Sequence, residues 1–292
     1  TLYVGTISQY DDYEGGEWLT GTGSKVMALT GLDQNKPTVT NVLTGINGQI
    51  NTPITTDGTY LYFGTWPGGS NAGTYYQVKL SDYSVKTFTP DSYGFYWAGA
   101  VSDGTNVYFG SDNGLLYWRS IADFDTTGGV LDLTDVASDA GNVRSTVMLD
   151  DGYLYFTTQG GYLWCCSYDD GLTVEWHKKL GATSTSTPTK VGDRIYVGYY
   201  SGFSDGGVQC VSADGSSVKT VVEGDGFPVQ SSIVVMGDGT GTDYLYFNTN
   251  AQKGVGYCYS YDGTTGSQVW GTTGDTYALG GMAIDNGYAV FG

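Results

Sequence analysis

Histidine, cysteine, proline and basic residues are all scarce in this 292-residue chain, at one, four, six and twelve copies. A single histidine, His177, leaves no pair for an HExxH zinc site and confines any Ser-His-Asp triad to one place. No nucleophile-elbow motif accompanies it. The four cysteines lack paired zinc-ligand spacing. A chain of this length buries about 75% of its unfolded surface, so it needs no disulfide staple. Twelve bases against 30 acids give a formal charge of −18. Phosphates would be repelled by that charge, which excludes nucleic acid and anionic membrane surfaces as partners. No apolar run approaches the roughly 20 residues of a membrane span, so membrane insertion is not expected. No Asn-x-Ser/Thr sequon occurs. Charged residues make up only 14%, so the exterior rests on Thr, Ser, Gly, Asn and Tyr. That surface predicts an extracellular or cell-surface location. A chain that starts at Thr1 also predicts a lost leader or excision from a longer protein.

Glycine and tyrosine are abundant, at 47 and 26 copies, which favours short strands joined by tight turns. No helical period interrupts them, so the chain reads as all-β. "YLYFGT" (60–65) recurs as "NVYFGS" (106–111), "YLYFTT" (153–158), "RIYVGY" (194–199) and "YLYFNT" (244–249), 41 to 50 residues apart. Such a period is that of a four-stranded propeller blade. Each copy follows a small-residue strand and an Asp-Gly or Asn-Gly turn, and precedes an aromatic strand and then an outer strand. Named A to D, these positions number six, seven, six and six. The predicted architecture is a single domain over 1–292, a six-bladed propeller of four-stranded antiparallel blades. Blade one lacks its own strand A, and "GGMAID" (280–285) is unassigned, so the N- and C-terminal strands are expected to pair and close the ring. The surplus B strand, "TLYVGT" or "GYAVFG", would add a fifth strand, self-assemble with another copy or fray, the last disfavoured because Tyr288, Val290 and Phe291 would be left in water.

"YCYSYDGTTGSQVWGTTG" (257–274) and "YLWCCSYDDGLTVEWHKKLG" (162–181) carry a more specific pattern. They resemble the tryptophan-docking repeat of PQQ-like, quinoprotein-type propellers, with Trp176 and Trp270 at the docking position. Other blades place Phe88, Leu133 or a valine in the outer strand. The resemblance implies a propeller fold. In PQQ alcohol dehydrogenases it would also imply a vicinal disulfide, here Cys165-Cys166, against the cofactor. Those enzymes need a metal-bound Asp/Glu/Asn set and an Asp base, and no such set can be assembled on the A strands.

Cys166, Cys210 and Cys258 each stand four residues before a turn aspartate, and so align in three successive blades. On that alignment Cys166 faces blade five and Cys210 faces blade six. Sheets pack about 10 Å apart, beyond disulfide reach, so the cysteines read as small apolar core residues. A vicinal bridge and a cofactor contact are the alternatives. His177 is expected to face solvent on an outer strand. Asp11, Asp12, Glu14 and Glu17 cluster in "YDDYEGGE" (10–17), and calcium is the cation such a loop would take.

The richest surface is that of the B–C and D–A loops. It gathers Tyr13, Trp18, Trp66, Tyr93, Phe95, Tyr96, Trp97, Tyr200, Phe203, Phe227 and Tyr277. Rings beside carboxylates and amides suit a sugar face or an extended peptide, whereas rings folded on each other would plug the channel. The functional expectation is a non-catalytic interaction or structural module whose partner is a surface protein or glycan. A lectin-like carbohydrate-binding domain is one alternative, and a degenerate PQQ-type oxidoreductase is the other.

Overall fold

The computed structural model describes residues 1–6, 10–14, 17–20, 23–169, 171–274 and 277–291, with backbone alone at 10–14 and 17–20. The chain divides into two compact units, 1–130 and 131–292. The first holds β1 (Leu2–Gly5), β2 (Tyr10–Glu14), β3 (Glu17–Thr20), β4 (Ser24–Thr30) and β5 (Thr38–Ile46). It continues with β6 (Thr55–Thr56), β7 (Tyr60–Gly64), β8 (Tyr75–Lys79), β9 (Val85–Phe88), β10 (Val101–Ser102), β11 (Asn106–Gly110) and β12 (Leu115–Ser120). Strand β13 (Gly128–Asp132) carries the chain across the boundary. The second unit holds β14 (Met148–Asp150), β15 (Tyr153–Thr158), β16 (Tyr162–Ser167), β17 (Thr173–Lys179), β18 (Thr189–Val191), β19 (Arg194–Ser201) and β20 (Asp205–Ser212). There follow β21 (Val218–Asp225), β22 (Val234–Met236), β23 (Asp243–Asn248), β24 (Val255–Tyr261), β25 (Gly266–Thr273), β26 (Ala283–Asp285) and β27 (Tyr288–Val290).

Five antiparallel sheets have four strands in chain order: β6–β9, β10–β13, β14–β17, β18–β21 and β22–β25. A sixth, β1-β4-β5, has three, and β2–β3 and β26–β27 are hairpins. Each terminal strand has its partner inside its own unit, β1 on β4 and β26 on β27.

The second strands β7, β11, β15 and β19 read as apolar runs because both their faces are covered. On β7, Leu61 and Phe63 pack with Val26, Ala28 and Ile46, while Tyr62 packs with Val107, Phe109 and Phe124. On β19, Ile195 and Val197 pack with Cys165 and Leu163, while Tyr196 packs with Leu245 and Phe247. Alternation of side chains along a strand makes each such strand a layer between two cores. Burial contributes about 1.5–3 kcal/mol for each large apolar side chain.

The inner strands pair over only two or three residues, and hydroxyls extend the contact beyond them. Thr52 Oγ1 accepts the Gly64 N–H at 2.8 Å, and Ser145 Oγ accepts that of Thr157 at 2.8 Å. Ser184 Oγ donates to the Gly198 carbonyl at 2.7 Å. Space is tight at the neighbouring end of β7 too, where a Cβ on Gly64 would meet Phe95 at 2.5 Å.

The A–B turns follow the Asp-Gly chemistry expected of them. Asp57 accepts the N–H groups of Thr59 and Tyr60, each at 2.8 Å, and the Tyr62 hydroxyl at 2.7 Å. Asp103 repeats the arrangement with Thr105, Asn106 and Tyr108.

Register corrects the cysteine alignment. Tyr155 pairs with Cys165, Tyr196 with Cys210 and Tyr246 with Cys258, so the equivalent residue is Cys165 rather than Cys166. Cys165 therefore packs on Ile195 and Val211 in the next sheet. "CCSYDD" offers two aspartates to count back from, and only the pairing distinguishes them.

The docking position is also wider than its tryptophans. Across from those cysteines stand Trp176, Lys219 and Trp270, and across from Gln77 stands Lys86. Trp176 lies over the next sheet's turn at Gly215, whose Cβ would come within 2.6 Å of the indole. Lys219 Nζ instead donates to the Gly263 carbonyl at 2.8 Å, and Lys86 Nζ to that of Ala122. Phe88 sits elsewhere, with its ring 4.4 Å from the Arg119 guanidinium.

Beside the Lys219 contact, Asp243 is fully buried and accepts from Arg194 at 2.8 Å and from the Tyr196 hydroxyl at 2.6 Å. It joins sheet β18–β21 to sheet β22–β25.

Gly215 has φ +68°, a conformation disfavoured for L-residues. Gly215→Ala should therefore lose about 2–4 kcal/mol in urea denaturation, from backbone strain and a displaced indole. Gly202→Ala, at φ +65° with no atom near its Cβ position, should lose only about 1–2 kcal/mol. Equal losses would remove the docking contact as a source of stability.

Candidate functional site

In the first unit Trp66 follows β7 and is held by a backbone bridge to Gln49, N to O at 2.9 and 3.1 Å. Its indole N–H donates to Asp112 Oδ2 at 3.1 Å. The Tyr96 ring meets it edge-on with centroids 5.0 Å apart, and Trp97 lies 4.7 Å beyond Tyr96. All three rings are half-buried, and Tyr93 beside them is 37% exposed. They form a row of edge-on and tilted rings, intermediate in burial between a sealed plug and a fully open face.

The backbone of this loop is strained. Tyr93 has φ +63° and Trp97 φ +60°, the left-handed region that bulky residues avoid. Each such residue costs on the order of 1–3 kcal/mol and persists only where its surroundings hold it. Here the Tyr93 N–H donates to the Ser70 carbonyl at 2.9 Å, and its own carbonyl accepts from Gly73 at 2.8 Å. Phe95, between the two, turns inward. It is fully buried against Tyr75 and Phe109 and belongs to the core, not to the binding surface.

In the second unit Phe203 is 68% exposed at the β19–β20 turn and meets Tyr277, 50% exposed, edge-on at 6.2 Å. Tyr200 is half-buried at the end of β19. Phe227 is not part of this patch, because its ring packs 5.1 Å from Tyr257 against the core of its sheet. The side chains of Tyr13, Trp18, Asp11, Asp12, Glu14 and Glu17 lie outside the described residues. Elsewhere, among the described residues, no group of three or more His, Cys, Asp or Glu could hold a metal ion.

His177 is half-buried rather than solvent-facing, stacked 4.9 Å from Trp164 and edge-on to Tyr162. Those rings on β16 draw it in from the outer strand. The four thiols are free and buried. Burial pushes Cys165 and Cys210 up to about 11, and raises Cys166 and Cys258 as well. Two features of the site escaped the sequence reading. Asp112, the anchor of Trp66, looks like an ordinary turn residue in "SDNG", and the left-handed backbone at Tyr93 and Trp97 has no residue signature.

No family model matches the chain, and no curated protein matches it. Solved structures do. A chain of the mitotic checkpoint complex is 11% identical, with TM-score 0.65 over 88% of this chain and 74% of that one. Sqt1 of Saccharomyces cerevisiae is 12% identical, with TM-score 0.63 over 91% and 76%. BamB of Moraxella catarrhalis is 12% identical, with TM-score 0.50 over 98% and 94%. These are β-propeller proteins, and with the repeated four-stranded sheets they support a β-propeller fold.

The thiols should stay silent toward a disulfide reagent at pH 8 and react as four in denaturant. Because burial raises them, native reactivity should climb only as the pH approaches about 11. Rapid reaction of one native thiol at pH 8 would contradict this. Separately, Trp97→Gly releases the left-handed penalty but loses a half-buried ring and adds unfolded-state entropy. Stability in urea should therefore fall by no more than about 1 kcal/mol, whereas a non-strained half-buried tryptophan would lose more.

Proposed function

We propose that the chain is a non-catalytic interaction module of the cell surface, a single six-bladed propeller of PQQ-like repeats closed by its terminal strands. Its ligand is held on the aromatic loop 93–97 and Trp66. The observation that carries this reading is the pair of left-handed aromatic residues, Tyr93 and Trp97, flanking a half-buried row of rings. Two bulky left-handed residues within five positions concentrate strain in one loop, and such strain persists only where the fold holds it. Rings held in this way suit a preorganised binding surface, since rigid rings lose little entropy on contact.

A second reading, a glycan as the partner, is favoured by Trp66. Its indole is fixed by the buried Asp112 carboxylate and stands beside Tyr96, so an aromatic ring is held in place at the surface. Sugars present an apolar ring face, which suits a ring held in this way.

A glycan array probed with the wild-type chain and with Trp97→Ala separates the readings. Signal lost at least about tenfold in the variant identifies a glycan ligand. A silent array, with a purified surface-protein partner that binds wild type and not Trp97→Ala, identifies a protein ligand. Quinone absorbance after incubation with PQQ and calcium would overturn both in favour of an oxidoreductase.

A further inference from the structure

A cleft of about 490 Å³ opens in the second unit between sheet β22–β25 and hairpin β26–β27. It is of ligand-pocket size. Tyr246, Trp270 and Tyr288 wall it, with Met236 at one side and Asp285 and Asn286 at the hairpin turn. Trp270 stands where Trp176 covers a glycine turn and where Lys219 bonds one. Here the side chain lines a cleft instead. Tyr246 and Trp270 lie 6.2 Å apart with their planes at 52°, so they make a corner rather than a flat shelf. Tyr288 is 74% exposed and Met236 52% exposed.

The polar groups are few and of one sign. Asn286 at φ +48° and Gly287 at φ +81° close a tight turn that presents Asp285 at its start. The Asn286 amide donates to Asp285 Oδ2 at 3.0 Å. No lysine or arginine lines the cleft, and among the described residues no ion pair neutralises Asp285.

Three electron-rich rings, a polarizable thioether and one carboxylate line one cleft, a set that attracts a cation whose own surface is apolar. A bare metal ion would want more oxygens than this cleft offers. An anion would meet the carboxylate and a protein of net charge −18. A pyranose would find angled rings in place of a platform, and an amide already engaged by its neighbour. We propose that this cleft binds a quaternary ammonium group, its methyls against Tyr246, Trp270 and Tyr288 and its charge facing Asp285. The site is separate from the Trp66–Trp97 row.

Isothermal titration calorimetry of the full chain tests this with choline, trimethyllysine amide and neohexanol, the neutral isostere in which carbon replaces the choline nitrogen. Choline or trimethyllysine should bind, and the two arms tell a free head group from a modified protein tail. Neohexanol should bind at least about tenfold more weakly, because it loses the cation–π attraction. Tyr288→Ala, an exposed position where folding is not at stake, should weaken binding about threefold or more. Asp285→Asn should do the same and should flatten the salt dependence. Equal binding of neohexanol would reduce the cleft to a hydrophobic slot and overturn the proposal. Silence toward both ammonium probes, or binding unaffected by Tyr288→Ala and Asp285→Asn, would overturn it as well.

Discussion

Three of the four-stranded sheets reach the next through one side chain of the outer strand, set opposite the third strand. Trp176 does this by laying an indole on Gly215, and Lys219 and Lys86 do it by donating to turn carbonyls. The contact needs a turn whose backbone lies bare, so glycine or a small residue receives it. With neighbouring sheets held at that spacing, the strands between them are buried on both faces, as Leu61, Tyr62 and Phe63 of β7 show. An apolar ring and an ammonium group serve the same place because both are long enough to span it. The ring gains from burial and the ammonium from a charge-assisted hydrogen bond.

Where the scaffold is this regular, departures from it carry the functional information. Tyr93 and Trp97 are held in a backbone conformation that glycine would adopt freely. Phe95, between them, is anchored in a ring cluster with Tyr75 and Phe109, and this anchor is what holds the strained loop in place. Trp270 departs in another way. It keeps the docking position and lines a cleft.

The acidic balance bears on both surfaces differently. At the Trp66 row the carboxylate of Asp112 is spent on the indole N–H, so that surface is read mainly by shape and apolar contact. At the Trp270 cleft Asp285 meets no base among the described residues, and the field of a chain with 30 acids and 12 bases draws cations toward it.

The repeat, the all-β class and the identity of the second strands were legible in the sequence, because a residue sandwiched between two cores must be apolar whichever way it points. Turn aspartates were legible for a similar reason, since their side chains bond the N–H groups two and three residues on. Register was not. "CCSYDD" permits two alignments, and only the pairing of Tyr155 with Cys165 selects one. Lys86 and Lys219 could not be seen as counterparts of tryptophan, because their shared role is a reach across to the next sheet. Phe95 and Phe227 look like their exposed neighbours in composition, yet the chain turns them inward. Local sequence fixes which residues suit a strand or a turn, whereas side-chain direction in an irregular loop depends on the sheet beneath it, which only the folded chain brings there.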